Sequence, residues 1–262
     1  MLTDDQVAEA AAALFRAEVD GVPIDPISQT YPEADVADAY RISTAVTDRK
    51  VKAGRTVKGH KIGLTSKAMR SLTGATEPDY GTMFDNWFVL EGSSIDRARL
   101  NRPLVEVELA FVLREPLAGP GVNAADVIRA TDFVLPCMEI VDLRQRGRGP
   151  NMLVDSIADA AACGLVVLGG RPVKLTDVDI RRIGASLSIN GSVEESGVAS
   201  AVMGNPINAV AWLATKLHEY GVALEAGHVV LSGSFIKAIP FDAGDSVVAL
   251  FDTLGEVTFH AV

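Results

Sequence analysis

Two glutamates spaced two apart, in a segment that is otherwise apolar, are the first residues that could do chemistry. In PLVEVELAFVL, residues 103–113, a period of two puts Val105, Val107, Leu109 and Phe111 on one face and Glu106, Glu108, Ala110 and Val112 on the other. The second face is half carboxylate and half apolar, which is not the composition of a solvated surface. Like charges at adjacent positions repel, and burying an unpaired carboxylate is strongly unfavourable. A third acid, Glu139, lies in another apolar run, FVLPCMEIVD. Three carboxylates on adjoining strands become stable together around a divalent cation. No histidine or cysteine stands at matching spacing, so the donors are all oxygen, which suits Mg²⁺ or Mn²⁺ and, less well, Ca²⁺. The competing reading, two solvent-facing glutamates on an edge strand, is weakened by Ala110 and Val112.

Lys61, in VKGHKIG, alternates into an apolar strand end, where a lysine needs either a route to water or an acidic partner. Asp79, in EPDYG, has the surroundings of a tight turn. Other segments fail their motifs. GHKIGLTSK lacks the order of a phosphate loop, GLVVLGG lacks the spacing of a dinucleotide fingerprint, and LSGSF is not a nucleophile elbow. His60, His218, His228 and His260 are scattered, and Cys137 and Cys163 sit in apolar runs as expected of buried free thiols.

The elements that must position these residues form an α+β pattern. Helices are predicted over 4–18, 34–53, 65–74, 123–130 and 205–220, and strands over 57–63, 86–90, 104–113, 133–142, 164–168, 185–190, 228–233, 246–251 and 255–262. Asn190-Gly191 marks a hairpin, and RQRGRGPN at 144–151 reads as a flexible basic loop. Helices followed by a strand-rich stretch point to an N-terminal helical region, 1–80, carrying the lysine, ahead of a metal-binding body, 81–262, the alternative being one continuous domain. The chain has 24 Lys plus Arg against 34 Asp plus Glu, a net charge of −10, which argues against a nucleic-acid backbone and leaves cations and small molecules open. Its first residues form an acidic amphipathic helix rather than a signal peptide, and no apolar run reaches the roughly 18 residues of a membrane span, so a soluble cytoplasmic protein is expected.

Six blocks carry a resemblance to a known family: GHKIGLTSKAM, EPDYGTMFDN, RPLVEVELAFVL, PCMEIVDLR, GVASAVMGNPINAVAWLA and LEAGHVVLSGSF. Together they resemble the 2-keto-4-pentenoate hydratases, the metal-dependent branch of the fumarylacetoacetate hydrolase-like superfamily. The resemblance implies a fumarylacetoacetase C-terminal-like fold, with a mixed, barrel-like sheet and N-terminal helices. Glu106, Glu108 and Glu139 fall on the family's metal-ligand positions, Lys61 on its active-site lysine, and Asp79 on the aspartate of its P-D-[YF]-G motif. The related 4-oxalocrotonate decarboxylases resemble the chain throughout but carry an apolar residue at the position of Asp79. One departure stands out: related hydratases tend to have Asp-Asn-Ala where this chain has Asp159-Ala160-Ala161.

The implied reaction is hydration of a 2-hydroxy-2,4-dienoate, of the 2-oxohept-4-ene-1,7-dioate or 2-oxopent-4-enoate type, in aromatic meta-cleavage catabolism. Protonation at C5, water addition at C4 and protonation at C3 give a 4-hydroxy-2-oxo acid. Lys61 stabilises the enolate, and Asp79 shuttles protons or orients water. Thr65, Ser66 and Ser234 are expected to donate to the substrate carboxylate, and Arg144, with Arg146 and Arg148, to pair with a second one. The alternatives are a 4-oxalocrotonate decarboxylase, an acylpyruvate-type C–C hydrolase using His60, and a silent subunit of such an enzyme. The resemblance also implies assembly into pentamers or decamers and a complex with a decarboxylase or aldolase of the same pathway.

Overall fold

Three helices come first, and the first and third are started by residues that suit the task. In the computed structural model, which describes residues 1–262 apart from the side chain of Leu72, α1 spans Asp4–Asp20, α2 Ile27–Thr30 and α3 Val36–Lys52. Thr3 and Gln6 form a capping box at α1, and Asp35 and Asp38 do the same at α3, so backbone donors left over by the first turns are satisfied. Val7, Ala10, Ala11 and Leu14 of α1 pack against Ala39, Ile42 and Val46 of α3, with α6 (Met152–Ala158) closing the cluster. Three further helices are α4 (Lys67–Thr73), α5 (Ala124–Ala130) and α7 (Pro206–His218). Among the described residues no helix is long and apolar enough to cross a membrane.

The strands are β1 (Val57–Gly63), β2 (Asp79–Phe84), β3 (Phe88–Leu90), β4 (Ser94–Ile95), β5 (Leu104–Leu113), β6 (Thr131–Val141), β7 (Cys163–Leu168), β8 (Gly184–Ile189), β9 (Ser192–Val198), β10 (Val229–Leu231), β11 (Ile239–Pro240), β12 (Ser246–Phe251) and β13 (Gly255–Ala261). An 8-stranded sheet runs β2-β1-β10-β5-β6-β7-β3, with β11 on β5; a 5-stranded sheet runs β4-β13-β12-β8-β9. The main core lies between them. Val105, Val107, Leu109 and Phe111, on one face of β5, meet Leu187, Val247, Ala249 and Phe259. The other face of β5 belongs to the concave side of a curled sheet, where Ala110, Cys137, Cys163, Val166, Leu231 and Met83 form a smaller cluster. Both faces of β5 are buried, which accounts for its half-apolar second face.

The larger sheet crosses residue 80, because β1 pairs with β2 on one side and β10 on the other. Asp79 therefore opens a strand, where a turn was expected. Its DYGTMF segment is short and carries a glycine, so pairing with β1 rather than local pattern makes it β. β9 was not predicted either, since SVEESGV is an acidic, mostly exposed edge strand with no apolar alternation.

Candidate active site

Antiparallel pairing of β5 with β6 sets Glu106 directly opposite Glu139, and Glu108 opposite Cys137. All three glutamates point to the concave side. Each offers a carboxylate oxygen, and these oxygens lie within 4.8 Å of one another. Glu108 and Glu139 are buried, Glu106 partly so. Glu108 Oε2 accepts from the Gly233 backbone N–H at 2.8 Å, which fixes its rotation from the loop after β10. Glu108 Oε1 and both oxygens of Glu139 are buried without a hydrogen-bond partner among the described residues. Orphaned carboxylate oxygens converging on one point are the pattern that a hard divalent cation completes. The residues present fit such an ion.

Lys61 joins them from β1. In a flat sheet, three strand spacings of about 4.8 Å would hold β1 and β6 roughly 14 Å apart. Curling brings Lys61 Nζ to 3.0 Å from Glu139 Oε1, in ion-pair reach though off hydrogen-bond geometry. Both side chains are buried, so this pair is poorly screened. Burial pushes the carboxyls of Glu106, to about 7, and Glu108, well above the usual range; Lys61 opposes the shift and Glu139 adds to it. For Lys61 burial acts downward, but the Glu139 and Glu106 carboxylates outweigh it and hold the ammonium above the ordinary lysine range. A bound cation adds its own charge and pulls these carboxyls back toward ionisation.

Asp79 stands on the same face, paired across from Gly63, two positions along β1 from Lys61. It is 2% exposed, and burial pushes its carboxyl up against the opposing pull of Lys61 and Ser156. Ser156 Oγ donates to Asp79 Oδ2 at 3.3 Å, while Oδ1 is buried without a partner. Gly63 is a glycine for room: a Cβ there would fall 2.2 Å from Asp79 Oδ1. At Gly81, opposite Lys61, a Cβ would fall 1.9 Å from the Ala160 carbonyl oxygen.

The residues expected around the substrate divide. Thr65 is buried and packs on Gly233, beside the backbone that holds Glu108. Ser66 caps α4, accepting from Met69 N at 3.2 Å, and keeps its hydroxyl hydrogen for another acceptor. Ser234 requires correction. Its oxygen accepts from Ile236 N at 3.2 Å and its single hydrogen is shared by the carbonyls of Ile236 (2.9 Å) and Val107 (3.3 Å), leaving none for a carboxylate.

Arg144 requires correction too. It is 6% exposed, not on a flexible loop, and its guanidinium is engaged by Asp159 (2.9 Å), Glu18 (3.4 Å), the Cys163 carbonyl and the Trp87 ring. The basic run misled because charge suggests exposure, whereas the partners lie 126 and 15 residues away in the chain. Arg146 and Arg148 are exposed. His60 lies on the opposite face of β1, buried near Tyr80 and His228. Ser156 and the Gly233 N–H were missed, since Ser156 belongs to no motif and nothing local marks the Gly233 N–H as the partner of Glu108.

The fumarylacetoacetate (FAA) hydrolase C-terminal family matches residues 50–262. A 2-oxo-hept-4-ene-1,7-dioate hydratase of Escherichia coli is 44% identical over 257 residues, 96% of each chain. A 4-oxalocrotonate decarboxylase of Pseudomonas putida is 36% identical over 261 residues, 100% of this chain and 98% of the relative. The solved 4-oxalocrotonate decarboxylase from Pseudomonas putida G7, complexed with magnesium and adipate, superposes with a TM-score of 0.95 at 34% identity, covering 100% of this chain and 99% of that one.

Proposed function

The chain belongs to the fumarylacetoacetate hydrolase family, and from that premise we propose that it is a divalent-metal-dependent hydro-lyase that adds water to a 2-hydroxy-2,4-dienoate of aromatic meta-cleavage catabolism. The substrate is of the 2-oxohept-4-ene-1,7-dioate type, the substrate named for the 44% identical relative. One observation carries the reading: three carboxylates, two buried and Glu106 partly so, converge with Lys61 at their edge and a protonatable Asp79 on the same face.

Glu106, Glu108 and Glu139 would hold Mg²⁺ or Mn²⁺, which supplies Lewis-acid polarisation of a 2-oxo acid. Lys61 contributes a fixed positive charge, so that three carboxylates, a divalent ion and one ammonium sum to zero and a substrate carboxylate is still accepted. Its ammonium, held at Glu139, stabilises the negative charge that develops on the C2 oxygen once water adds at C4. Asp79, a buried carboxyl pushed above the usual range, exchanges a proton with the carbon skeleton or the adding water, Oδ1 being the oxygen Ser156 leaves free. Thr65 borders the substrate carboxylate.

Decarboxylation is the rival, favoured by the 36% identical decarboxylase and by the close superposition. Asp79 speaks against it, because CO₂ release needs an electron sink and no ionisable group to move protons on and off carbon. The assay follows loss of dienoate absorbance by the purified protein with Mg²⁺ or Mn²⁺, with and without chelator, for wild type and Glu106→Gln. Metal-dependent loss without CO₂, abolished in Glu106→Gln, is expected. CO₂ release from 2-oxohex-3-enedioate would favour the rival, and full activity of Glu106→Gln would refute the ligand set. The family premise also carries assembly into pentamers or decamers, which light scattering reads.

A further inference from the structure

Helix α6 begins in a loop and has no motif, yet its rotation about its own axis is closely determined. Val154, Ile157 and Ala158 are buried in the N-terminal helix cluster. The Asp155 carboxylate takes Ser28 N at 2.8 Å and Ser28 Oγ at 2.9 Å, and Gln145 Nε2 donates to the Asp155 carbonyl at 2.9 Å. Held there, α6 aims Ser156 at the start of β2, where its hydroxyl reaches Asp79 Oδ2. Past α6 the chain turns through Ala160, whose carbonyl rests on Gly81. One helix and its exit thus grip β2 at Asp79 and again two residues later, opposite Lys61.

Asp79 has two oxygens in unequal settings. Oδ2 is held by Ser156, and Oδ1 is buried, with no partner among the described residues, over the space that Gly63 leaves. A carboxyl that rotates about its Cβ–Cγ bond presents either oxygen; one pinned on one side presents a single oxygen in a single place. We infer that Ser156 is a positioning residue for the reaction: its hydroxyl locks the Asp79 carboxyl so that Oδ1 is the oxygen that exchanges protons. This rests on the role given to Asp79 above.

The test uses the intact protein with saturating Mg²⁺ and 2-hydroxyhepta-2,4-diene-1,7-dioate, in Ser156→Ala, Ser156→Thr, Asp79→Asn and the Ser156→Ala/Asp79→Asn double variant. Losing this one hydrogen bond should lower kcat about 3- to 10-fold in Ser156→Ala, with KM within about 2-fold. Mn²⁺ affinity, read by electron paramagnetic resonance, and Tm should not change, and Ser156→Thr, which keeps the hydroxyl, should recover most of the loss. In the Asp79→Asn background Ser156→Ala should have little further effect, because the two act as a unit. A wild-type kcat in Ser156→Ala beside a crippled Asp79→Asn would overturn this inference alone. An equal loss from Ser156→Ala in both backgrounds would also overturn it. A wild-type kcat in Asp79→Asn would remove the role of Asp79 and the inference with it.

Discussion

Replacing Gly63 with alanine should separate folding from chemistry in this protein. The added Cβ would fall 2.2 Å from Asp79 Oδ1, and ordinary contact begins near 3.4 Å, so that oxygen must retreat by about 1.2 Å. Nothing else is displaced at so short a range: the next atom, Asp79 Cγ, is already at 3.3 Å. The backbone at Gly63 does not have the positive φ that would make alanine strained. The disturbance is therefore confined to the end of one side chain, and stability should change by no more than about 1 kcal/mol. Catalysis is less tolerant. A misplacement of about 1 Å in a reacting group lowers rates on the order of 100-fold. Gly63→Ala should thus lose about 100-fold in kcat on a 2-hydroxy-2,4-dienoate while Tm and Mn²⁺ affinity stay near wild type. Gly81→Ala is the contrast. There the Cβ meets a backbone carbonyl at 1.9 Å, with backbone on both sides, so folding itself should suffer and Tm should fall steeply. A kcat within about 3-fold of wild type in a well-folded Gly63→Ala would refute the placement of Oδ1 in the reaction.

Two further expectations concern stability. Burial, with His228 adding, pushes the His60 imidazole down to about 3, so between pH 6.5 and about 3 the unfolded chain binds a proton that the folded one refuses. This contribution is complete above pH 6.5 and is lost as pH falls, by up to about 5 kcal/mol; the Tm of His60→Gln should decline less between pH 6 and 4 than that of wild type, and parallel curves would refute the assignment. Ala160, Ala161 and Ala162 have φ of 53°, 52° and 62°, a left-handed run that side chains with a Cβ resist. Ala160→Gly should therefore raise stability by about 0.5–1 kcal/mol in calorimetry, and a lowered Tm would show that the surrounding packing already compensates the strain.

Much of the site was legible because it depends on short-range rules. Alternation along β5 put Glu106 and Glu108 on one face whatever the rest of the chain does, and a half-apolar composition marked that face as buried. The same rule separated Lys61 from His60. The helices predicted over 4–18, 34–53, 123–130 and 205–220 form where expected, and their caps Thr3, Asp35, Asn123 and Asn205 are each satisfied within their own turn, which makes a helix start a local matter.

What the chain could not disclose locally was who meets whom across it. Strand order β1-β10-β5-β6 is not chain order, and only the curl of that sheet carries Lys61 to Glu139. Asp79 became the first residue of a strand because β1 offered it a partner. Arg144 turned inward because Glu18 and Asp159, distant in sequence, made its burial affordable. Ser156 acquired a partner 77 residues away. Periodicity and caps are properties of neighbouring residues. Pairing, curl and the burial of charge depend on contacts whose partners are known only once the whole chain has closed on itself.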